Sequence, residues 1–207
     1  MVDMRKKREL TQGDFELMGL PKEYWGASWS FLPQGSRMKE RVYNYLVSLN
    51  GDHKIIHEGD GLFLFGPQGS SKTYIAAICA KAFRKYEYRV MFTTASKFQQ
   101  DCENKAEFEE GESILDRAGS VDVLVIDDFG KETVGYGKPN YILEMIDFRR
   151  DWKKILIVTS RLEPLDIDKK YGGGSRDLSE KIKSFMLGLL CDGSFYKEKQ
   201  DQIQNKY

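Results

Sequence analysis

The chain has 207 residues, 41% hydrophobic and 31% charged, the balance of an ordinary globular domain long enough to bury a sizeable core. Thirty-two basic residues offset 32 acidic ones, so no global charge marks a nucleic-acid binder and any such surface has to be local. No apolar run approaches the ~20 residues that cross a bilayer, and the amino terminus MVDMRKKREL lacks the apolar stretch of a signal peptide.

Residues 1–57 read as a short lead-in packed on the core, too small for an independent domain. Its Arg5-Lys6-Lys7-Arg8 cluster reads as a solvated terminus, and Trp25, Trp29 and Phe31 as aromatics that pin the segment down. A helix is predicted from Arg37 to Leu49. His53 and His57 are four apart but lack a third ligand, which argues against zinc.

A core over residues 58–197 follows, built on five apolar runs that read as buried strands. They are Leu62 to Phe65, Arg89 to Thr93, Val121 to Ile126, Ile155 to Thr159 and Leu187 to Cys191. Helical patterns lie between them. After the first strand, Ile75, Ala76, Cys79, Ala82, Phe83 and Tyr86 share a face. Another helix is predicted from Asn140 to Trp152, with Pro139 favouring its start. Strands alternating with helices predict an α/β three-layer fold around a five-stranded, mainly parallel sheet, with little or no carboxyl-terminal lid.

The acidic stretch from Glu103 to Glu112 and the glycines at 172–174 read as surface loops, and residues 198–207 as a polar tail. Arg149, Arg150, Lys153 and Lys154 read as a basic patch near a helix end. The three cysteines have no metal-like spacing; Cys79 and Cys191 sit in apolar segments and read as buried free thiols of a reducing compartment, which points to the cytoplasm.

The chemistry centres on GLFLFGPQGSSKTYIAA, residues 61–77. Gly66, Pro67, Gln68, Gly69, Ser70, Ser71, Lys72 and Thr73 nearly match the phosphate-binding P-loop, whose inward backbone N–H groups cradle phosphate at a helix start. Lys72 reaches the terminal phosphates and Thr73 ligates Mg2+ in such a loop. Ser71 stands where the pattern has glycine; strain there costs roughly 1–2 kcal/mol and leaves the cradle standing. Downstream, VDVLVIDDFGKE is an apolar strand ending in acid, the Walker B pattern. Asp127 is placed to hold Mg2+ through water, and Asp128 to orient the attacking water. Asp128 is one methylene shorter than glutamate, so slow hydrolysis is expected. The strand ending in Thr159-Ser160-Arg161 brings polar groups to the same rim, where a γ-phosphate sensor belongs.

Together these stretches resemble the bacterial replicative helicase loaders of the DnaC/DnaI type and their IstB-like transposition-helper relatives, which are AAA+ ATPases. The resemblance runs from about Leu20 to Lys197, through LPKEYWGASW, the P-loop, IDDFGKE, IDFRRDWKK, TSRL and CDGSFYK. It implies an AAA+ core, ATP and Mg2+ binding, self-association around a shared site, and single-stranded DNA or a replicative helicase as partner. Arg161 departs from the family's asparagine, and the arginine finger falls in GGGSRDLSEKIKSF, where Lys181 sits nearest the usual position and Arg176 is the other candidate. A lysine stabilises transferring phosphoryl charge less well than arginine's planar fork. The resemblance thus implies a helicase loader-like ATPase, with a transposition helper or a nucleotide-holding adaptor or inhibitor as alternatives. A small-molecule P-loop kinase needs an arginine-bearing lid, and the sequence has no arginine-rich one.

Overall fold

A computed structural model describes residues 8–32, 37–47, 49, 54–105, 113–171 and 177–191. Five apolar runs form one sheet from β1 (Gly61–Phe65), β2 (Val90–Thr94), β3 (Val123–Phe129), β4 (Ile155–Ser160) and β5 (Met186–Leu190). The order is β2-β3-β4-β1-β5, and every neighbouring pair is parallel, so the α/β sheet is parallel throughout rather than mainly so. Helices are α1 (Gln12–Met18), α2 (Arg37–Val47), α3 (Lys54–Glu58), α4 (Lys72–Lys85), α5 (Ala95–Lys105), α6 (Ile114–Ser120), α7 (Tyr141–Asp151), α8 (Pro164–Tyr171) and α9 (Asp177–Phe185).

Parallel strands bury both faces, which is why their sequences run apolar without alternation. Successive side chains still divide between the faces. Leu62 and Leu64 of β1, with Val123 and Val125 of β3, join the apolar cluster under α4. Phe63, Leu124 and Ile126 join the opposite cluster with α5, α6, α7 and α9. Cys79, Cys102 and Cys191 are all free and buried.

Several boundaries differ from those expected. β3 runs on to Phe129, past both aspartates, and β2 and β5 shift by one residue. α7 covers Tyr141–Asp151 because Asn140 is its N-cap, accepting the N–H groups of Ile142 (3.1 Å) and Leu143 (3.3 Å). α2 ends at Val47, and α5 takes the acidic stretch as far as Lys105. The rest of that stretch (106–112), the glycines at 172–174, His53 and the tail lie outside the described residues.

α4 is buried more widely than one stripe, since Ala77, Ile78 and Ala80 are covered as well. The lead-in explains this. Lys81 donates to the carbonyls of Trp25 and Ala27, both at 2.6 Å, and its ammonium lies 5.2 Å from the Phe15 ring. The Tyr74 hydroxyl accepts the Ser28 N–H at 2.9 Å, and Trp25 Nε1 donates to the Leu20 carbonyl at 2.8 Å. Phe31 is the exception, 66% exposed. Arg8 pairs with Asp14 on α1, so this member of the basic cluster is structural.

The expected basic patch does lie at the end of α7, but Arg149 is not part of its surface. It is 0% exposed and donates to the carbonyls of Ala118 (2.7 Å), Val121 (3.2 Å), Asp122 (2.8 Å) and Ile155 (2.7 Å). Burial pushes its pKa down to about 9, opposed by Asp122. One guanidinium therefore ties the end of α6 and the entries to β3 and β4 together beneath α7. Among the described residues, no helix is long and apolar enough to cross a membrane.

Candidate nucleotide site

β1 ends at Phe65, and the chain turns through residues 66–71 into α4. Gly66 has φ 139°, and a Cβ there would lie 2.1 Å from the Cys191 carbonyl oxygen, so only glycine fits. Ser71 opens α4 with φ 65° and ψ 15°, the left-handed conformation that suits the glycine of the usual pattern. Here a serine carries the strain. Lys72 is 7% exposed, and its ammonium donates to the carbonyls of Gly66 (2.9 Å) and Pro67 (2.6 Å) and to Ser70 Oγ (3.1 Å). The lysine thus folds over the loop onto acceptors that phosphate oxygens can replace. Burial lowers its pKa and nearby Arg161 adds to the fall, whereas Asp128 and Asp127 pull it back up.

The facing wall is an irregular pairing. Val123 to Ile126 pair in step with Ile155 to Val158, and pairing resumes at Phe129 with Ser160. Asp127 and Asp128 therefore share one opposing residue, Thr159. This is a β-bulge, with Asp128 at φ 59°. In a regular strand the two aspartates would face opposite sides of the sheet, and an extra residue re-aims one of them. Thr159 Oγ1 donates to Asp127 Oδ1 at 2.5 Å and accepts the Asp128 N–H at 2.9 Å. Thr73 Oγ1 donates to the same Asp127 oxygen at 2.9 Å, joining α4 to β3. Asp127 is 7% exposed; burial raises its pKa against these two hydrogen bonds.

Asp127 has no cationic partner in contact among the described residues. A buried carboxylate beside a threonine hydroxyl is a hard oxygen donor set of the kind Mg2+ takes with substrate phosphates, so these residues fit the ion. No group of three or more histidine, cysteine or acidic side chains placed to hold a metal occurs among the described residues.

The remaining candidates scatter. Asp128 is ion-paired to Lys131 at 2.5 Å. Arg161 is exposed at the end of β4, while the neighbouring Ser160 is buried and donates to the Phe129 carbonyl at 2.8 Å. Lys181 pairs with Asp147 of α7 at 2.5 Å, a contact within the chain. Arg176 lies outside the described residues.

Three site residues escaped the sequence analysis as actors. Thr159 appeared as one of the polar groups at the sensor rim, without its own contacts to the two aspartates. Lys131 stands in the quoted IDDFGKE stretch without a role. Glu132 belongs to the quoted acidic motif but received no role. It is 7% exposed and accepts the Gly130 N–H at 2.8 Å and the Tyr171 hydroxyl, fixing the turn after the bulge to α8.

The sequence profile described as IstB-like ATP binding protein matches residues 4–174. The chain is 24% identical over 191 residues to the replicative helicase loader DnaI of Bacillus subtilis, covering 90% of this chain and 59% of that protein. It is 26% identical over 104 residues to a putative insertion sequence ATP-binding protein of Sinorhizobium fredii, covering 50% of this chain and 35% of that one. The chain therefore spans about three-fifths and about one-third of these two relatives. Its fold resembles the crystal structure of DnaI, with a TM-score of 0.67 and 18% identity over 84% of this chain and 95% of the other.

Proposed function

The chain belongs to the IstB-like ATP-binding family, and from that premise we propose that it binds Mg-ATP and hydrolyses it slowly as a helicase loader-like protein in DNA replication. The observation that carries this reading is the contact of Thr73 and Thr159 with Asp127, beside a buried Lys72. In it the backbone N–H groups of residues 68–73 wrap the phosphates, Pro67 having none to give, and Lys72 moves from the loop carbonyls to phosphate oxygens. Thr73 and Asp127 would hold Mg2+, which would offset the charge of the phosphates. Asp128 orients the attacking water, and Arg161 senses the terminal phosphate. Arg176 or Lys181 reaches a neighbouring copy's site in a nucleotide-bound oligomer; for Lys181 this requires leaving Asp147.

Similarity to a replicative helicase loader supports a replicative helicase as partner, with single-stranded DNA as the accompanying ligand. ATPase assays with and without single-stranded DNA, beside a Lys72→Ala control, test the reading. Isolation of partners from the native host with and without Mg-ATP tests its second half. Turnover lost on Lys72→Ala, and a replicative helicase among the partners, are the expected results. Absence of ATP binding in the wild type ends the proposal, and a transposase as partner moves it to the transposition helpers.

A second reading rests on the strained Ser71 and the occupied Asp128. In it the protein holds nucleotide without significant turnover and acts as an adaptor or inhibitor. Turnover at ordinary AAA+ rates rules this out.

A further inference from the structure

We propose that Lys131 is a brake on hydrolysis, a positioning residue that keeps Asp128 from the attacking water until the contact is released. The inference rests on the role assigned to Asp128 in the ATPase reading above. Lys131 Nζ lies 2.5 Å from Asp128 Oδ2, and the Lys131 N–H donates to the Asp128 carbonyl at 3.1 Å, so both ends of the lysine close on the same residue.

The turn that carries the lysine is anchored. Gly130 donates its N–H to the buried Glu132 at 2.8 Å, and its carbonyl accepts from Lys170. Tyr171 donates to Glu132 and stacks on Phe129 at 5.2 Å with 14° between the rings. On the other side, the Asp128 N–H is fixed by Thr159. Backbone on both sides of the pair is therefore held while the two side chains remain 42% and 35% exposed, free to part. A fixed frame around a weak, accessible contact is the arrangement a releasable restraint needs.

The chemical consequence is direct. In hydrolysis the water oxygen bonds to the γ-phosphorus, the bond to the β,γ-bridging oxygen breaks, and ADP leaves with that electron pair. A carboxylate that orients this water by accepting its O–H, while the water's proton ends on the released phosphate, needs an open oxygen lone pair. An ammonium on Oδ2 occupies one oxygen of Asp128 and offsets its charge. An ion pair this exposed is weak, so its removal is worth no more than about fivefold in rate.

The test uses the full chain. Single-turnover and steady-state ATP hydrolysis are measured for wild type, Lys131→Met and Lys131→Arg, with fluorescent ATP binding measured in parallel. The proposal expects kcat to rise about two- to fivefold in Lys131→Met with nucleotide affinity unchanged, and Lys131→Arg to stay near the wild-type rate. A rise in kcat is not produced by loss of structure, so it separates a brake from a stabilising contact. Retained binding with equal, lower or undetectable turnover in Lys131→Met overturns the brake alone. Failure of the wild type to bind ATP overturns the ATPase reading and the brake together.

Discussion

The Thr159 hydroxyl accepts the backbone N–H of Asp128 at 2.9 Å while donating to the carboxylate of Asp127 at 2.5 Å. One side chain on β4 thereby satisfies the irregular step in β3 and orients the buried acid. Replacing it with valine keeps the shape and β propensity but leaves a part-buried N–H and a buried carboxylate each short of a partner. Thr159→Val is expected to cost about 1–3 kcal/mol in urea unfolding and to reduce ATP turnover. Unchanged stability would mean that water replaces the hydroxyl and the bulge does not depend on it.

Ser71 holds a left-handed conformation at φ 65°. Ser71→Gly removes a steric cost of roughly 1–2 kcal/mol, part of which is offset by glycine's greater freedom in the unfolded chain. If nucleotide binding draws on that strain, the variant binds ATP up to about tenfold more tightly. Isothermal titration of the two proteins reads the difference, and weaker binding by the glycine variant contradicts the account.

Arg149 is buried without a carboxylate in contact among the described residues, its charge spread over four backbone carbonyls. Arg149→Met removes the charge but abandons those acceptors. The expected loss is roughly 3 kcal/mol or more, read as a lower urea midpoint or Tm. Arg149→Lys recovers only part of it, because an ammonium has three donors and no planar fork.

Asp14 ties α1 to α4. The hydrogen-bonded Arg8 guanidinium, with Thr11 and Arg84, holds its carboxyl well below the usual carboxylate range. Folding therefore favours the ionised form. The resulting stability is fully present above the unfolded value of about 3.9 and is lost as pH falls toward the folded value. Comparing wild type with Asp14→Asn by urea unfolding is expected to give a constant difference from about pH 6 to 8 that shrinks below about pH 4. A difference that grows in acid contradicts the assignment.

The five strands were legible because each is an unbroken apolar run between turn residues, and the P-loop because its spacing is local. What stayed hidden depends on partners distant in the chain. Two adjacent aspartates look like a strand's polar end, and only the register against β4 reveals that they sit within the strand and share Thr159. Arg149, in the exposed-looking string IDFRRDWKK, is buried because carbonyls from three other segments converge on it. The ion pair of Lys131 with Asp128 needs the left-handed turn at Asp128, which no propensity announces for an aspartate in an apolar strand.

Titration of Mg-ATP into the 207-residue chain, with Lys72→Ala alongside, bears most directly on whether a serine-bearing loop still cradles polyphosphate. The account predicts saturable binding at one site per chain that weakens by about tenfold or more when Lys72 loses its ammonium. No binding by the wild type, or equal binding by both proteins, contradicts it.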